Sequence, residues 1–257
     1  MKIYDCFTYF NEADVLKLRL EILGPYVDYF VIVEASKTFT GKDKPMYFDQ
    51  IPNWIHDWDE KIIRRVVDFP DHDMTSWERE IYQRNQIAKV LDGCSGNDII
   101  IISDVDEIPN LDAIQYYDQP VQLDVTQYFW NLNWQVPDHC NQGARPVVVR
   151  YENLKKTPQE LRASTDLYRV PNGGWHFSFL NAENIGKQKI ESFAHTEYNS
   201  PEYKDASAMR HKIQIGVDPF DRFPLKYRSI DETYPLWIQK NLDKVKHLTL
   251  HNVEVGT

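Results

Sequence analysis

Four consecutive isoleucines, Ile99 to Ile102, stand between Asp98 and the acidic stretch Ser103-Asp104-Val105-Asp106-Glu107. An apolar run this short, with no polar residue on either side of the pleat, predicts a strand over Asp98–Ile102 that is buried on both faces. Such a strand needs a layer above and a layer below. It therefore points to an α/β fold with a mostly parallel central sheet flanked by helices.

The residues before it supply those layers. Ile3 to Phe10 is a β-rich run. Asn11 is placed to cap a helix over Glu12–Leu23, whose Val15, Leu18 and Ile22 share one face, and Gly24-Pro25 provides a C-cap and a breaker. Tyr29–Val33 is a fully apolar strand, so the opening segment is a βαβ unit with parallel strands. Residues 35–60 predict a long loop with little regular structure, and Ile62–Phe69 a third strand. Thr75 and Glu78 form a capping box ahead of a helical stripe of Trp77, Ile81, Ala88 and Leu91 that ends at Gly93. After Pro109 the pattern becomes mixed. β-like stretches cover Val121–Trp130, Pro146–Tyr151 and Trp175–Leu180, and helical ones Ala182–Ser192 and Pro201–Gly216. The stretch from about 230 has no clear pattern. We read one domain over 1–257, with 1–109 as a ligand-binding α/β half and 110–257 as a mixed half.

Ligands of open α/β sheets bind beyond the carboxyl ends of the strands. There the chain presents Asp104 and Asp106, which on an extended segment point the same way. Adjacent carboxylates repel unless a cation lies between them, and hard oxygen ligands suit Mg²⁺ or Mn²⁺. Two carboxylates leave coordination positions for phosphate oxygens and water, which suits a nucleotide diphosphate. A D-x-D sequence alone also occurs as an acidic, solvated turn; its place after four isoleucines favours the functional reading. There is no G-x-x-x-x-G-K-[ST] and no G-x-G-x-x-G, so phosphate-loop and dinucleotide folds lack their fingerprints. An aspartyl-nucleophile phosphatase would carry its D-x-D near the first strand, followed by Thr.

Composition narrows the partners. A formal net charge of −10 argues against non-specific binding to nucleic acid or anionic membrane. It also means that a phosphate-bearing ligand needs local cations. The three cysteines, Cys6, Cys94 and Cys140, are scattered, as expected for reduced thiols rather than a disulfide framework or zinc site. No run approaches the length of a membrane helix, the start is not signal-like because Asp5 interrupts it, and no N-x-[ST] sequon occurs. A cytoplasmic protein without an integral membrane segment is the expectation.

Four stretches together resemble glycosyltransferase family 17: IYDCFTYFNEADVLKLRLEIL; VDYFVIVEASKTFTGKDKP; YQRNQI with IIISDVDEIP; and GGWHFSF with ESFAHTEYN. They run from about residue 3 to 199. The family includes the β-1,4-mannosyl-glycoprotein β-1,4-N-acetylglucosaminyltransferases, which add the bisecting GlcNAc of N-glycans. The resemblance implies a GT-A-like nucleotide-diphospho-sugar transferase fold, a UDP-GlcNAc donor, a glycan acceptor, Mn²⁺ or Mg²⁺, and inversion at the anomeric carbon. The expectation is a chain without the membrane anchor and stem of the animal members, and it has Phe177 and Phe179-Leu180 where eukaryotic members often carry Cys-rich sequence.

Roles follow for particular residues. Asp104 and Asp106 would hold the metal. His195, in an H-x-[DE] pattern that recurs in the family, would add a metal or phosphate contact. Glu34 ends the second strand and would bond the ribose or uracil, or stand as a solvated strand end; Glu12 suits the first turn of a helix. Arg79, Arg84 and Asn85 lie on the helix that the resemblance turns towards the nucleotide. Arg84 would offset diphosphate charge and Asn85 reach the base, unless this is an ordinary polar helix face. Trp175 and His176 follow paired glycines, with Trp175 suited to a sugar face. Trp130 and Trp134 would form an acceptor platform or pack in the core. An inverting transfer needs a general base on the acceptor side. Glu107, Asp166, Glu183, Glu191 and Glu197 are the carboxylates available, Glu197 first and Glu107 next. The rival readings are a sugar-nucleotidyltransferase, which would want a Gly-rich basic loop where FNEAD stands, and a non-catalytic carbohydrate- or nucleotide-binding protein of the same fold.

Overall fold

In the computed structural model, which describes residues 1–114, 117–141 and 145–250, β1 (Ile3–Thr8), α1 (Ala13–Leu23) and β2 (Tyr29–Ala35) form the expected βαβ unit, with β1 and β2 parallel. The end of the single-domain reading, 251–257, lies outside the described residues. Glu12 rather than Asn11 takes the N-cap position of α1; the Asn11 amide instead donates to Gln188 Oε1 at 2.6 Å. Gly24 closes the helix in right-handed geometry (φ −55°), not as a left-handed cap. Its glycine has a packing reason: an added Cβ would sit 2.0 Å from the Trp58 ring.

Loop 35–60 contains two 3₁₀ segments, Tyr47–Gln50 and Asn53–Trp58, and leads into β3 (Ile62–Val67), parallel to β2. α2 (Ser76–Asn85) opens on the predicted capping box. The Glu78 N–H donates to Thr75 Oγ1 at 3.2 Å and the Thr75 N–H to Glu78 Oε2 at 2.7 Å. A 3₁₀ segment, Gln86–Val90, continues it towards β4 (Ile99–Asp104). β4 lies parallel to β1 and its isoleucines are buried: Ile100 and Ile102 pack with Val31, Val33 and Leu91, while Ile99 and Ile101 face Val121, Leu123 and Val170. Burial of each such side chain is worth roughly 1.5–3 kcal/mol, which fixes the strand in the centre.

The second half holds β5 (Glu107–Pro109), β6 (Val121–Phe129), β7 (Trp134–Gln135), β8 (Val147–Arg150), α3 (Pro158–Ala163), β9 (Tyr168–Ser178), α4 (Ala182–Ser192), α5 (Pro201–Lys204), α6 (Ala206–Ile215), β10 (Lys226–Tyr227) and α7 (Leu236–Lys240). The main path of the sheet runs β10-β7-β6-β8-β4-β1-β2-β3, with β9 paired to both β5 and β6. The expectation of a mostly parallel sheet is corrected here. β4–β8, β6–β8, β6–β7, β5–β9 and β7–β10 are antiparallel, and only β1–β2, β1–β4, β2–β3 and β6–β9 are parallel. After β4 a single parallel pair remains, β6–β9, whose connection runs through β8 and α3. The predicted helix Pro201–Gly216 is two helices, because Asp205 leaves helical geometry and caps α6 through the Ala208 N–H at 2.7 Å. Among the described residues no helix is long and apolar enough to cross a membrane.

Candidate active site

β1 and β4 end side by side, with Thr8 opposite Asp104, and the chain then turns through Val105 and Asp106 into β5. β5 pairs with β9 so that Glu107 lies opposite His176. Asp106 thus sits in a turn rather than on an extended strand. Both aspartates nevertheless reach one cavity of about 750 Å³ at the carboxyl ends of the parallel strands. Asp104 keeps 31% of its side chain open, whereas Asp106 keeps 8%.

Cations from three helices meet this turn. Arg84 of α2 donates Nη2 to Asp104 Oδ1 at 3.1 Å, and Arg162 of α3 donates Nη2 to Asp104 Oδ2 at 2.9 Å. Lys189 of α4 donates Nζ to Asp106 Oδ2 at 2.9 Å, and His176 Nε2 lies 3.4 Å from Asp106 Oδ1. Each full cation also holds a second carboxylate: Arg84 holds Glu80 at 2.7 Å, Arg162 holds Glu107 with both Nη atoms, and Lys189 holds Glu12 at 3.1 Å. The cavity wall therefore carries five carboxylates (Glu12, Glu80, Asp104, Asp106, Glu107) around three shared cations. The other cations on the wall, Lys37, Lys44 and Arg222, are matched with Asp43, Glu34 and Asp218, none of which lines it. In the cluster around the turn, five carboxylates thus face three full cations and the His176 imidazole.

Burial pushes the Asp104 carboxyl up, but the guanidiniums of Arg162 and Arg84 outweigh it and hold the group well below the usual carboxylate range. Burial acts likewise on Asp106, and is outweighed by Lys189 and His176. Both therefore stay ionised at neutral pH. His176 Nδ1 is buried and has no hydrogen-bond partner among the described residues.

The other sequence candidates divide. Arg84, Glu107, His176 and His195 line the same cavity as the aspartates. His195 is not gathered with them: its Nδ1 meets Glu197 Oε1 at 2.6 Å, its ring lies edge-on to Trp77, and no group of three or more His, Cys, Asp or Glu able to hold a metal occurs among the described residues. Glu197 is half-exposed and outside the lining, because the short 3₁₀ segment Thr196–Tyr198 turns it outwards. No carboxylate of residues 110–250 lines the cavity among those described, so the expected acceptor-side base is not brought there. Glu107 is buried and clamped by Arg162, and it accepts the Asp104 N–H at 2.9 Å.

Glu34 is also not at the cavity. It is fully buried, bonded to Lys44, Arg64 and the Tyr47 and Phe48 N–H groups, and so organises loop 44–48. Asn85 accepts the Gln159 N–H and ties α2 to α3 instead of facing a base. Trp130 is core: 3% exposed, with its ring N–H on the Val217 carbonyl at 2.7 Å. Trp134 is core as well. Trp175 alternates with His176 on β9 and faces a second groove, where its ring N–H reaches the Thr233 carbonyl at 2.9 Å. The paired glycines serve internal packing, Gly173 on Leu123 and Gly174 on the Ile108 carbonyl. Sequence reasoning missed Arg162 and Lys189, which no spacing links to the acidic turn. It also missed Arg19, whose place on the buried face of α1, between Val15 and Ile22, is a legible signal.

The profile of glycosyltransferase family 17 matches residues 1–249. The β-1,4-mannosyl-glycoprotein 4-β-N-acetylglucosaminyltransferase of Mus musculus is 25% identical over 285 aligned positions, covering 93% of this chain and 52% of its own length. The Homo sapiens protein of the same name is 27% identical over 143 positions, 49% of this chain and 26% of its own. The chain thus spans about half the length of the mouse relative or less of the others.

Proposed function

The chain belongs to glycosyltransferase family 17, and from that premise we propose that its cavity binds a UDP-sugar, UDP-GlcNAc, and passes the sugar with inversion to a hydroxyl of a glycan. The relatives' names support N-acetylglucosamine as the sugar and a mannosyl-glycoprotein as the acceptor class. The parallel β3-β2-β1-β4 half, followed by antiparallel β8, supports a GT-A-like arrangement.

The observation that carries this reading is the charge surplus. Three cations are each shared by two carboxylates, so around the turn the carboxylates outnumber the full cations. Two hard carboxylates on one wall fit a divalent cation that completes its shell with phosphate oxygens and water. Asp104 and Asp106 would hold it. Bound there, Mn²⁺ or Mg²⁺ would neutralise charge developing on the departing diphosphate.

The remaining work falls to the chain. Arg84 and Arg162 lie beside Asp104 and are suited to bonding diphosphate oxygens. Glu107 holds Arg162 and the Asp104 amide in place, a positioning role rather than that of the base. As the anomeric carbon–oxygen bond breaks, its electrons leave on UDP. The acceptor oxygen forms the new bond and gives up its proton to water in the cavity, since no described carboxylate of residues 110–250 lines it. Glu197 lies outside the lining, so Glu197→Gln is expected to keep kcat within about threefold, as befits loss of an exposed ion pair. A kcat drop of two orders of magnitude would return it to the base role.

The test of the whole reading is UDP release from UDP-GlcNAc with Mn²⁺, with and without glycan acceptors, beside calorimetry of UDP with Mn²⁺ and with EDTA. Metal-dependent UDP binding and acceptor-stimulated release are expected. Neither binding nor release would leave a non-catalytic protein of this fold.

A further inference from the structure

The acidic turn is wrapped around a side chain that lies outside the cavity lining. Arg19 on α1 is fully buried. Its Nε donates to Asp5 Oδ2 at 2.7 Å, and its Nη2 to Asp5 Oδ1 at 2.5 Å and Ser103 Oγ at 2.6 Å. Its Nη1 serves three main-chain carbonyls of the turn: Asp104 at 2.9 Å, Val105 at 3.1 Å and Glu107 at 2.7 Å. The Phe7 ring lies 4.4 Å beneath the guanidinium.

Three carbonyls aimed at one nitrogen make a loop that encloses a cation, as ion-binding loops do, except that the cation here is covalently part of α1. The arrangement needs the planar five-donor fork of arginine. A lysine ammonium has three donors on one atom and cannot span the Asp5 carboxylate, Ser103 and three carbonyls together. Asp104 and Asp106 carry like charges two residues apart, and their repulsion acts to splay the turn. Clamping the carbonyls of Asp104, Val105 and Glu107 opposes that from behind, without occupying either carboxylate.

We propose that Arg19 is a positioning residue that fixes the spacing and direction of Asp104 and Asp106 before any metal or donor arrives. The inference rests on the reading of those aspartates as the cation anchor. It assigns the preorganisation of that anchor to a buried ion pair between α1 and β1, the Arg19–Asp5 pair.

The test uses the whole chain as Arg19→Lys and as Ser103→Ala, with two readouts. One is hydrogen–deuterium exchange of the metal-free protein over residues 103–108. The other is the Mn²⁺ concentration giving half-maximal UDP binding. In Arg19→Lys, exchange is expected to rise in 103–108 while β1 and β2 stay protected. The Mn²⁺ requirement should rise about 10-fold or more, with UDP binding recovered at excess Mn²⁺. A merely structural role would lower the melting temperature without that metal-specific rescue. Ser103→Ala removes one acceptor of the guanidinium, so it loosens the clamp without discarding Arg19 and should move both readouts the same way by a smaller factor; should Arg19→Lys fail to fold, it decides alone. Wild-type exchange and wild-type Mn²⁺ dependence in the folded variants would overturn the proposal. If the parent chain itself binds no UDP with Mn²⁺, the donor reading fails, and the exchange comparison still decides whether Arg19 holds the turn.

Discussion

Asp106→Asn is expected to lower sugar transfer by about 10²–10³-fold while the protein keeps its fold, the size of effect seen when one preorganised electrostatic group is lost from a reaction site. The fold should survive because Lys189, which would lose Asp106, still holds Glu12 at 3.1 Å. The amide is isosteric and keeps an oxygen for Lys189 or His176. What disappears is one of the two carboxylate charges proposed to anchor a divalent cation. Asp104→Asn should behave alike, since Arg84 keeps Glu80 and Arg162 keeps Glu107. Asparagine is the better probe than alanine, because alanine at the nearly buried Asp106 would add a cavity to the loss of charge. The check is the transfer rate and the UDP affinity across a Mn²⁺ titration, beside a thermal melt. Unchanged rate and unchanged Mn²⁺ dependence in a folded Asp106→Asn would remove the turn from the donor site.

The part of this arrangement legible in the sequence is the part made by neighbours along the chain. The isoleucine run specified β4, and β1 and β2, read as a β-rich run and a fully apolar strand, place Phe7 and Ile32 in one core cluster and Cys6 and Val31 in another, so they too are buried on both faces. Thr75 and Glu78 announced α2, since a capping box is local chemistry. Of the cations around the turn, Arg84 was named through the family resemblance, but Arg162 and Lys189 were not legible. They stand 58 and 83 residues from the carboxylates they meet, and no periodicity encodes that convergence. Aromatic residues misled for a related reason. Trp175 and His176 are adjacent in sequence, yet strand alternation sends them to opposite faces of β9 and into different cavities. Glu34 ends its strand as expected, but loop 44–48 folds back over it and supplies two N–H donors, so a strand-end carboxylate became a structural one. The reversal of sheet direction after β4 was hidden too, because the β-like runs carry no sign of pairing direction.

Asp5→Ala is expected to be among the most destabilising single changes in the chain, by about 3–5 kcal/mol, because it strands the buried Arg19 charge without its counter-ion. At a few degrees per kcal/mol for a domain of this size, the melting temperature should fall by roughly 10 °C. An exposed pair gives the contrast: Asp59→Ala, which breaks the His56–Asp59 contact, should change stability by well under 1 kcal/mol. A sharper comparison is the double replacement Asp5→Leu with Arg19→Met. For an isolated buried ion pair, apolar residues of similar volume are often neutral or stabilising. Here the double variant should remain destabilised, because removing Nη1 leaves the carbonyls of Asp104, Val105 and Glu107 without their donor, and each buried orphan costs on the order of 1–3 kcal/mol. Full recovery in the double variant would mean that the carbonyls find other partners and that the turn does not depend on the guanidinium. Continued loss would locate the energy of the pair where the chemistry needs it, in the backbone that carries the two aspartates.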